Sequence, residues 1–273
     1  MKTLQLFIFC ISTLYFTQNI RFVYQVQMKT DLTQRDQVKS ELANLDIDKT
    51  NSVFYAAKAI LRDSIMEANE KSRIGYLTEE QAKMMISNIG YRINKNYRKQ
   101  DISFISAVAG DNFIYNELKP FNWKITTETK KIGAYNTQKA QTQYAGRIWY
   151  AWFTTEIPFQ DGPYKFCGLP GLIVKAEDSK GDYQFELIET RKISDLYESS
   201  TLWKKPIKVK KEEFLKAYKR FNANPIAFRP PPPVSVNETS HKLDSDSDTN
   251  ADKKYRDEVT KRANSFNNPI ELY

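Results

Sequence analysis

Apolar and polar residues alternate from Arg21 to Lys29, with Phe22, Tyr24, Val26 and Met28 on one side and Val23, Gln25, Gln27 and Lys29 on the other. That period predicts a strand with one buried face. Leu45 to Tyr55 reads as strand, polar turn (Asp48-Lys49-Thr50-Asn51) and strand. The spacing then becomes helical over about residues 56–69, where Ala57, Ile60, Leu61, Ile65 and Ala68 recur near 3.6 residues. Thr78-Glu79-Glu80-Gln81 has the form of a capping box and predicts a short helix to about Asn88. Strands follow over 89–97, 102–108, 112–118, 123–130 and 132–140, with Gly110-Asp111-Asn112 and Gly133 at the joins. Links this short favour antiparallel pairing, because parallel neighbours need a crossover of a dozen residues or more.

Arg147 to Thr155 is apolar on both faces, the pattern of a central strand covered on two sides. Clean alternation returns at Tyr183–Glu189, joined to a strand over 172–176 by the turn Ser179-Lys180-Gly181-Asp182. A late helix over about 211–221 presents Phe214, Leu215, Tyr218 and Phe221. Beyond Pro225, the polyproline run Pro230–Pro233 and a Ser/Asp/Asn/Lys-rich remainder lack the apolar surface needed to offset chain entropy. The expected fold is α+β: a mainly antiparallel, curved sheet with two or three helices over residues 19–229, and a disordered tail over 230–273.

The apolar run Leu4–Phe16 behind Met1-Lys2 changes the picture. It has the charged start and the length of a secretory signal's core and is too short to span a bilayer. A signal peptide over 1–18 is expected, with export to the periplasm or cell envelope and no membrane span after its removal. Cys10 lies inside that run, so the exported chain keeps only Cys167 and depends on burial rather than disulfides. The net charge is +8, with +1 in residues 1–18 and −2 in residues 234–273, leaving +9 on residues 19–233. Because the lysines are dispersed, this reads mainly as a solvated surface, and export argues against nucleic acid as a partner.

Histidine occurs once, at His241 in the tail, which removes Ser-His-Asp and Cys-His pairs and histidine metal sites from the body of the chain. Glycine-rich phosphate loops and the Gly-x-Ser-x-Gly elbow are missing too. No metal or cofactor is expected. Cys167 is a candidate nucleophile only if Lys165 or Arg147 depresses its pKa, and the ordinary reading is a small packing residue in a turn. Glu156, Asp161, Glu177, Glu186 and Glu189 are candidates for paired-carboxylate chemistry, set against the usual reading of solvent-facing strand charges. Trp123, Trp149, Trp152, Tyr144, Tyr150, Tyr164 and Phe166 gather near one turn, as a core or as the wall of a groove. Trp149, Trp152, Tyr164, Phe166 and Cys167 are the docking candidates.

That turn is Gly168-Leu169-Pro170-Gly171-Leu172-Ile173, expected to be a rigid bend between two apolar strands. It reproduces the namesake motif of the GLPGLI family of exported Bacteroidota proteins. Trp123-Lys124-Ile125, Lys131-Ile132-Gly133, Trp152-Phe153-Thr154, Glu156-Ile157-Pro158, Gly162-Pro163 and Phe166 carry the resemblance around it, as do Leu45-Asp46-Ile47, Asn51-Ser52-Val53-Phe54-Tyr55 and Asp63-Ser64 earlier in the chain. Many members have a cysteine near Thr137 that this chain lacks. The resemblance implies export, a largely β architecture and the company of TonB-dependent outer-membrane receptors, and it carries over no catalytic residue. The expected function is that of an envelope accessory or binding protein, non-enzymatic, working with an outer-membrane or TonB-linked partner. The alternatives are an envelope hydrolase using carboxylates or Cys167 and a purely structural surface protein.

Overall fold

A computed structural model describes residues 18–73, 77–118, 121–199, 205–228, 253, 257–261 and 265–272. The expected signal segment, the polyproline run and His241 lie outside these residues. Twelve strands form one sheet: β1 (Asn19–Met28), β2 (Lys39–Ile47), β3 (Asn51–Ala56), β4 (Tyr91–Asn96), β5 (Asp101–Val108), β6 (Asp111–Glu117), β7 (Lys124–Ile132), β8 (Tyr135–Tyr144), β9 (Arg147–Thr154), β10 (Leu172–Asp178), β11 (Tyr183–Ile193) and β12 (Ile207–Lys208). Three α-helices are named with them, α1 (Lys58–Lys71), α2 (Glu79–Met85) and α3 (Lys211–Ala223). The strand order is β12-β6-β5-β4-β3-β2-β1-β11-β10-β9-β8-β7. Neighbours are antiparallel except β12, which runs parallel to β6. Two series of hairpins are therefore joined in the middle, where β1 pairs with both β2 and β11.

The sheet is open in its backbone pairing yet curls strongly. Glu117 lies on the second strand from one edge and Tyr144 on the second from the other, and the Tyr144 hydroxyl reaches Glu117 Oε2 at 2.8 Å. Ring contacts cross the hollow as well: Phe54 of β3 meets Phe185 of β11 edge-on at 6.2 Å, and Tyr91 of β4 meets Tyr164 at 5.5 Å. A register shift at Val23/Tyr24 and another between Ile173 and Lys175 break the ladders near the middle of this shell, where bulges add twist and bend a strand.

The period-2 pattern decides which side chains line the inside. Phe22, Tyr24, Val26 and Met28 enter the main core with Ala43, Leu45, Ile47, Phe54, Ile93, Phe104, Tyr115, Trp149 and Phe185. The opposite face of β3 carries Val53 and Tyr55, buried with Ala59 of α1 beneath Leu196 and Tyr197. The capping box opens α2 as the sequence expects: Thr78 Oγ1 accepts from the Gln81 amide at 3.1 Å, and the Thr78 amide donates to Gln81 Oε1 at 3.0 Å.

Phe185 is fully buried and packs against Trp149, Tyr164, Phe166 and Phe54, whereas Ile188 on the same strand is exposed. Phe185→Ala should lower the unfolding free energy by about 3–5 kcal/mol, and Ile188→Ala by less than about 0.5 kcal/mol, in denaturant titrations. Equal effects would mean that the concave face is not the core.

Candidate functional site

The stretch between β9 and β10 does not lie in the sheet. Pro158 and Pro163 lack amide donors, and Asp161 pairs with Cys167 through a single antiparallel bridge, so residues 155–171 fold as a loop whose middle, residues 161–166, is buried inside the shell while Glu156, Pro158, Gln160 and Pro170 stay exposed. The loop is tied by Gly168 N to Gln160 O (3.0 Å), Leu172 N to Ile157 O (3.1 Å) and Ile173 N to Asp161 O (2.9 Å). The Tyr24 hydroxyl donates to Ile173 O at 2.7 Å from across the core. The expected bend between two strands is thus corrected: residues 168–171 join this inner loop to β10. Gly168 (φ 90°) and Gly171 (φ 156°) both take positive φ, but for different reasons. A Cβ on Gly171 would sit 2.0 Å from the Thr154 carbonyl oxygen, whereas one on Gly168 would meet nothing within 4 Å.

A buried ion pair fixes the loop. Lys95 of β4 points inward and is 3% exposed, and Asp161 is fully buried. Lys95 Nζ donates to Asp161 Oδ1, to Gly162 O at 2.7 Å and to Phe166 O at 3.2 Å, which uses all three of its protons. Asp161 also accepts from the Gly162 amide at 2.7 Å and from the Tyr97 hydroxyl at 2.6 Å. Burial beside this carboxylate pushes the Tyr97 phenol far above its ordinary value.

A second buried lysine comes from the same loop. Lys165, with no exposed surface, donates to Glu271 Oε1 at 2.6 Å and to the Tyr115 hydroxyl at 3.1 Å, and lies 3.1 Å from Glu117 Oε2. The rings of Phe104, Tyr115, Tyr164 and Tyr144 surround its Nζ with centroids 4.8 to 5.9 Å away, a cation–π cage. Glu271 belongs to residues 265–272, which the sequence assigns to a disordered tail; these described residues instead pack on the shell. The physical reason is chemical complementarity, which composition does not register. Desolvation would raise the Glu271 pKa, but the charges of Lys165 and Lys211 and hydrogen bonds from Lys165 and Tyr164 outweigh it and bring it down to about 2.

Arg147, at the start of β9, is the third buried cation. Its Nη1 donates to Asp178 (2.9 Å) and Asp182 (3.1 Å), its Nη2 to Asn268 Oδ1 (2.6 Å) and Pro269 O (2.8 Å), and its Nε to Ile270 O (3.1 Å). All five guanidinium donors are used.

The docking candidates are placed otherwise than a groove requires. Trp149, Tyr164 and Phe166 are buried core rings. Trp152 is covered on the outer face by the stems of Lys130 and Lys139, with ammonium-to-ring distances of 3.9 and 5.4 Å. A partner cannot reach Trp149, Tyr164 and Phe166 without opening the shell, or Trp152 without displacing Lys130 and Lys139. Leu169, Leu172 and Ile173 are buried as well. Cys167 is half-buried and its carbonyl accepts from Trp123 Nε1 at 2.8 Å. Neither Lys165 nor Arg147 activates its thiol. Desolvation raises it to about 11, with nearby Lys95 opposing and Asp161 reinforcing the shift. Of the candidate carboxylates, Asp161 is consumed by Lys95. Glu156 accepts from Asn136 and Glu189 pairs with Arg191, while Glu177 and Glu186 both approach Lys175 Nζ, at 3.4 and 3.6 Å, and are the two of these carboxylates that share a partner. Two hollows of about 440 and 270 Å³ lie on the outer face between β3, β4 and Tyr197, away from the inner loop. Sequence reasoning missed Lys95, whose only signal was a charge at an inward position of an alternating strand, and the seating of Asn268 and Glu271 on the chain's own shell.

Comparison with known proteins fits this picture of one organised stretch. A family named Porph_ging, described as a protein of unknown function, matches residues 145–175. Those residues run from the β8–β9 turn through the inner loop into β10 and contain Arg147, Asp161 and Lys165. No curated protein matches. Among solved structures, the chain is similar to PNGF-II in the P21 space group, at a TM-score of 0.53 and 15% identity over 74% of this chain. PNGF-II in the C2 space group gives a TM-score of 0.52 at the same identity and coverage. This chain spans about a third (33%) of the length of PNGF-II. The likeness is one of fold.

Two outcomes follow. Gly171→Ala should prevent folding or lower the melting temperature by more than 10 °C, because backbone at 2.0 Å cannot give way, while Gly168→Ala should cost about 1 kcal/mol, both read by thermal melts. A carboxylate held at about 2 against an ordinary 4.5 stabilises the folded chain above about pH 4.5 and ceases to do so as the pH falls toward 2. The chain should therefore exceed Glu271→Gln in unfolding free energy at pH 6 by about 3 kcal/mol in denaturant titrations, and the two should converge near pH 2.

Proposed function

We propose that the chain is an exported cell-envelope accessory or binding protein of the GLPGLI type, working by contact with an envelope or outer-membrane partner rather than by turnover. The observation that carries this reading is that Arg147, Asp161 and Lys165, in the stretch matched at residues 145–175, are committed to holding the fold, and that the one thiol there is not activated. Asp161 is saturated by Lys95, Tyr97 and a backbone amide. Arg147 spends every donor internally, Lys165 is enclosed by rings and carboxylates, and the Cys167 thiol is held far from ionisation near neutral pH. Export is supported by the short charged start and apolar run of residues 1–16 and by a remainder built around a single thiol. The two sheet edges, β7 and β12, and the basic body of +9 offer contact surface. The lysines along β7 (Lys124, Lys130 and Lys131) discourage pairing with an arbitrary strand and favour a partner that is acidic at the point of contact.

The test is capture from envelope extracts by cross-linking, using the secreted chain and its Cys167→Ser and Glu156→Gln variants. One reproducible membrane-derived partner, retained by all three, is the expected result. Folded variants that lose turnover of a cell-wall, glycan or peptide substrate possessed by the unaltered chain would overturn the reading, as would recovery of nothing above background.

A further inference from the structure

Residues 265–272 are held as a ligand is held. Ser265 O accepts from Thr30 Oγ1 at 2.8 Å, and Asn267 bonds to the Leu32 amide (2.7 Å) and to Asp31 Oδ1 (2.9 Å). Asn268 is buried, and each of its polar groups is read. Its amide donates to Thr30 O at 2.9 Å, its carbonyl accepts from the Tyr183 hydroxyl at 2.6 Å, its Nδ2 donates to Lys29 O at 2.7 Å, and its Oδ1 accepts from Arg147. Arg147 takes the next two carbonyls, Pro269 and Ile270, so three of its five donors face the segment. The Glu271 carboxylate enters the Lys165 cage, where Glu117 is the other carboxylate within ion-pair distance of Lys165 and is shared with Lys211. The Leu272 amide then donates to Ala145 O at 2.8 Å. Gly146 lies so close beneath Leu272 that a Cβ there would sit 2.8 Å from its carbonyl oxygen.

We infer that this seat is a peptide-binding site that takes a short segment bearing asparagine, then proline, with a carboxylate three residues after the asparagine, and that residues 265–272 are its occupant in cis. Three features make it a site rather than ordinary packing. The side-chain requirements are specific at two points, an amide able to bond in both directions and a single negative charge. The backbone between those points is read by one guanidinium, which bonds two successive carbonyls. The seat is also assembled from parts of the chain far from the segment in sequence: the turn after β1, the β8–β9 turn, the inner loop and β11. Ala145, Gly146, Arg147, Tyr164 and Lys165 all fall within the stretch matched by the Porph_ging family. A peptide of this chemistry presented by a partner competes with the chain's own segment, whose tether sets an effective concentration on the order of millimolar. The inference depends neither on export nor on the identity of an envelope partner.

The experiment uses a fluorescent peptide with the sequence of residues 264–273 and the full chain carrying Asn268→Ala with Glu271→Gln, which removes the two anchoring side chains of the cis occupant and alters no residue of the seat. The peptide should bind the double variant at least tenfold more tightly than the unaltered chain in fluorescence anisotropy, and a peptide with glutamine in place of its glutamate should bind at least tenfold more weakly. Failure of the folded double variant to bind, or equal binding of the glutamine peptide, overturns the inference. If the double variant does not fold, the unaltered chain decides the matter: several millimolar isotope-labelled peptide should accelerate hydrogen exchange of the Asn268 and Leu272 amides and the glutamine peptide should not. Absence of that acceleration overturns it equally.

Discussion

The buried pair of Lys95 and Asp161 is the constraint on which the interior depends. An ammonium and a carboxylate removed from water are tolerated only when each finds its full complement of partners, and here Lys95 has three acceptors while Asp161 has a lysine, a phenol and an amide. Two of the lysine's acceptors are main-chain carbonyls of the inner loop, so the pair prescribes the loop's path as well as its position. Loss of either partner would strand the other in an apolar shell. The aromatic residues then fill the remaining space around a loop already held in place, with Tyr164, Phe166 and Phe185 in mutual ring contact.

Much of the fold was legible because it is written locally. Alternation located β1 and β11 to within a few residues, helical spacing located α1 and α3, and the Thr78–Gln81 box gave α2 its start. What escaped depends on groups far apart in sequence. The cluster of Trp149, Trp152, Tyr164 and Phe166 was visible as a cluster, but whether it lines a groove or fills a core depends on how far the sheet curls, and that is set by contacts such as Tyr144 with Glu117. Asp161 looked like one of several solvent-facing carboxylates, since nothing near it in sequence announces Lys95. The segment at 265–272 belongs to a tail that, taken as a whole, is too polar to settle on a core. The segment itself does so because its polarity is matched group by group, and no windowed property of the sequence records such a match.

The inner loop and the docked segment together make the interior of the shell unusually ionic. Lys95, Lys165 and Arg147 are all buried, and each is tied to a carboxylate contributed by a different part of the chain. Replacing such pairs with apolar residues of equal volume often leaves a protein no less stable, so their value here is in specificity: each admits one partner in one place. For a chain that closes its core with residues drawn from both ends of its described length, that selectivity prevents the loop and the segment from packing in the wrong register.

The position of β1 has a kinetic consequence. Its first neighbour, β2, follows within a few residues, but its second, β11, begins at Tyr183, and the register joins Asn19 to Ile193. The hairpins β2 to β6 and β7 to β10 can zip up from nearby residues, whereas the seam between the two halves must wait until most of the polypeptide has been synthesised. A sheet closed by so distant a pairing has high contact order and belongs to the slow, millisecond-to-second regime of folding. Until that seam forms, the strand bearing Phe22, Tyr24 and Val26 exposes one hydrogen-bonding edge and a greasy face, and the two preassembled halves cannot close on each other.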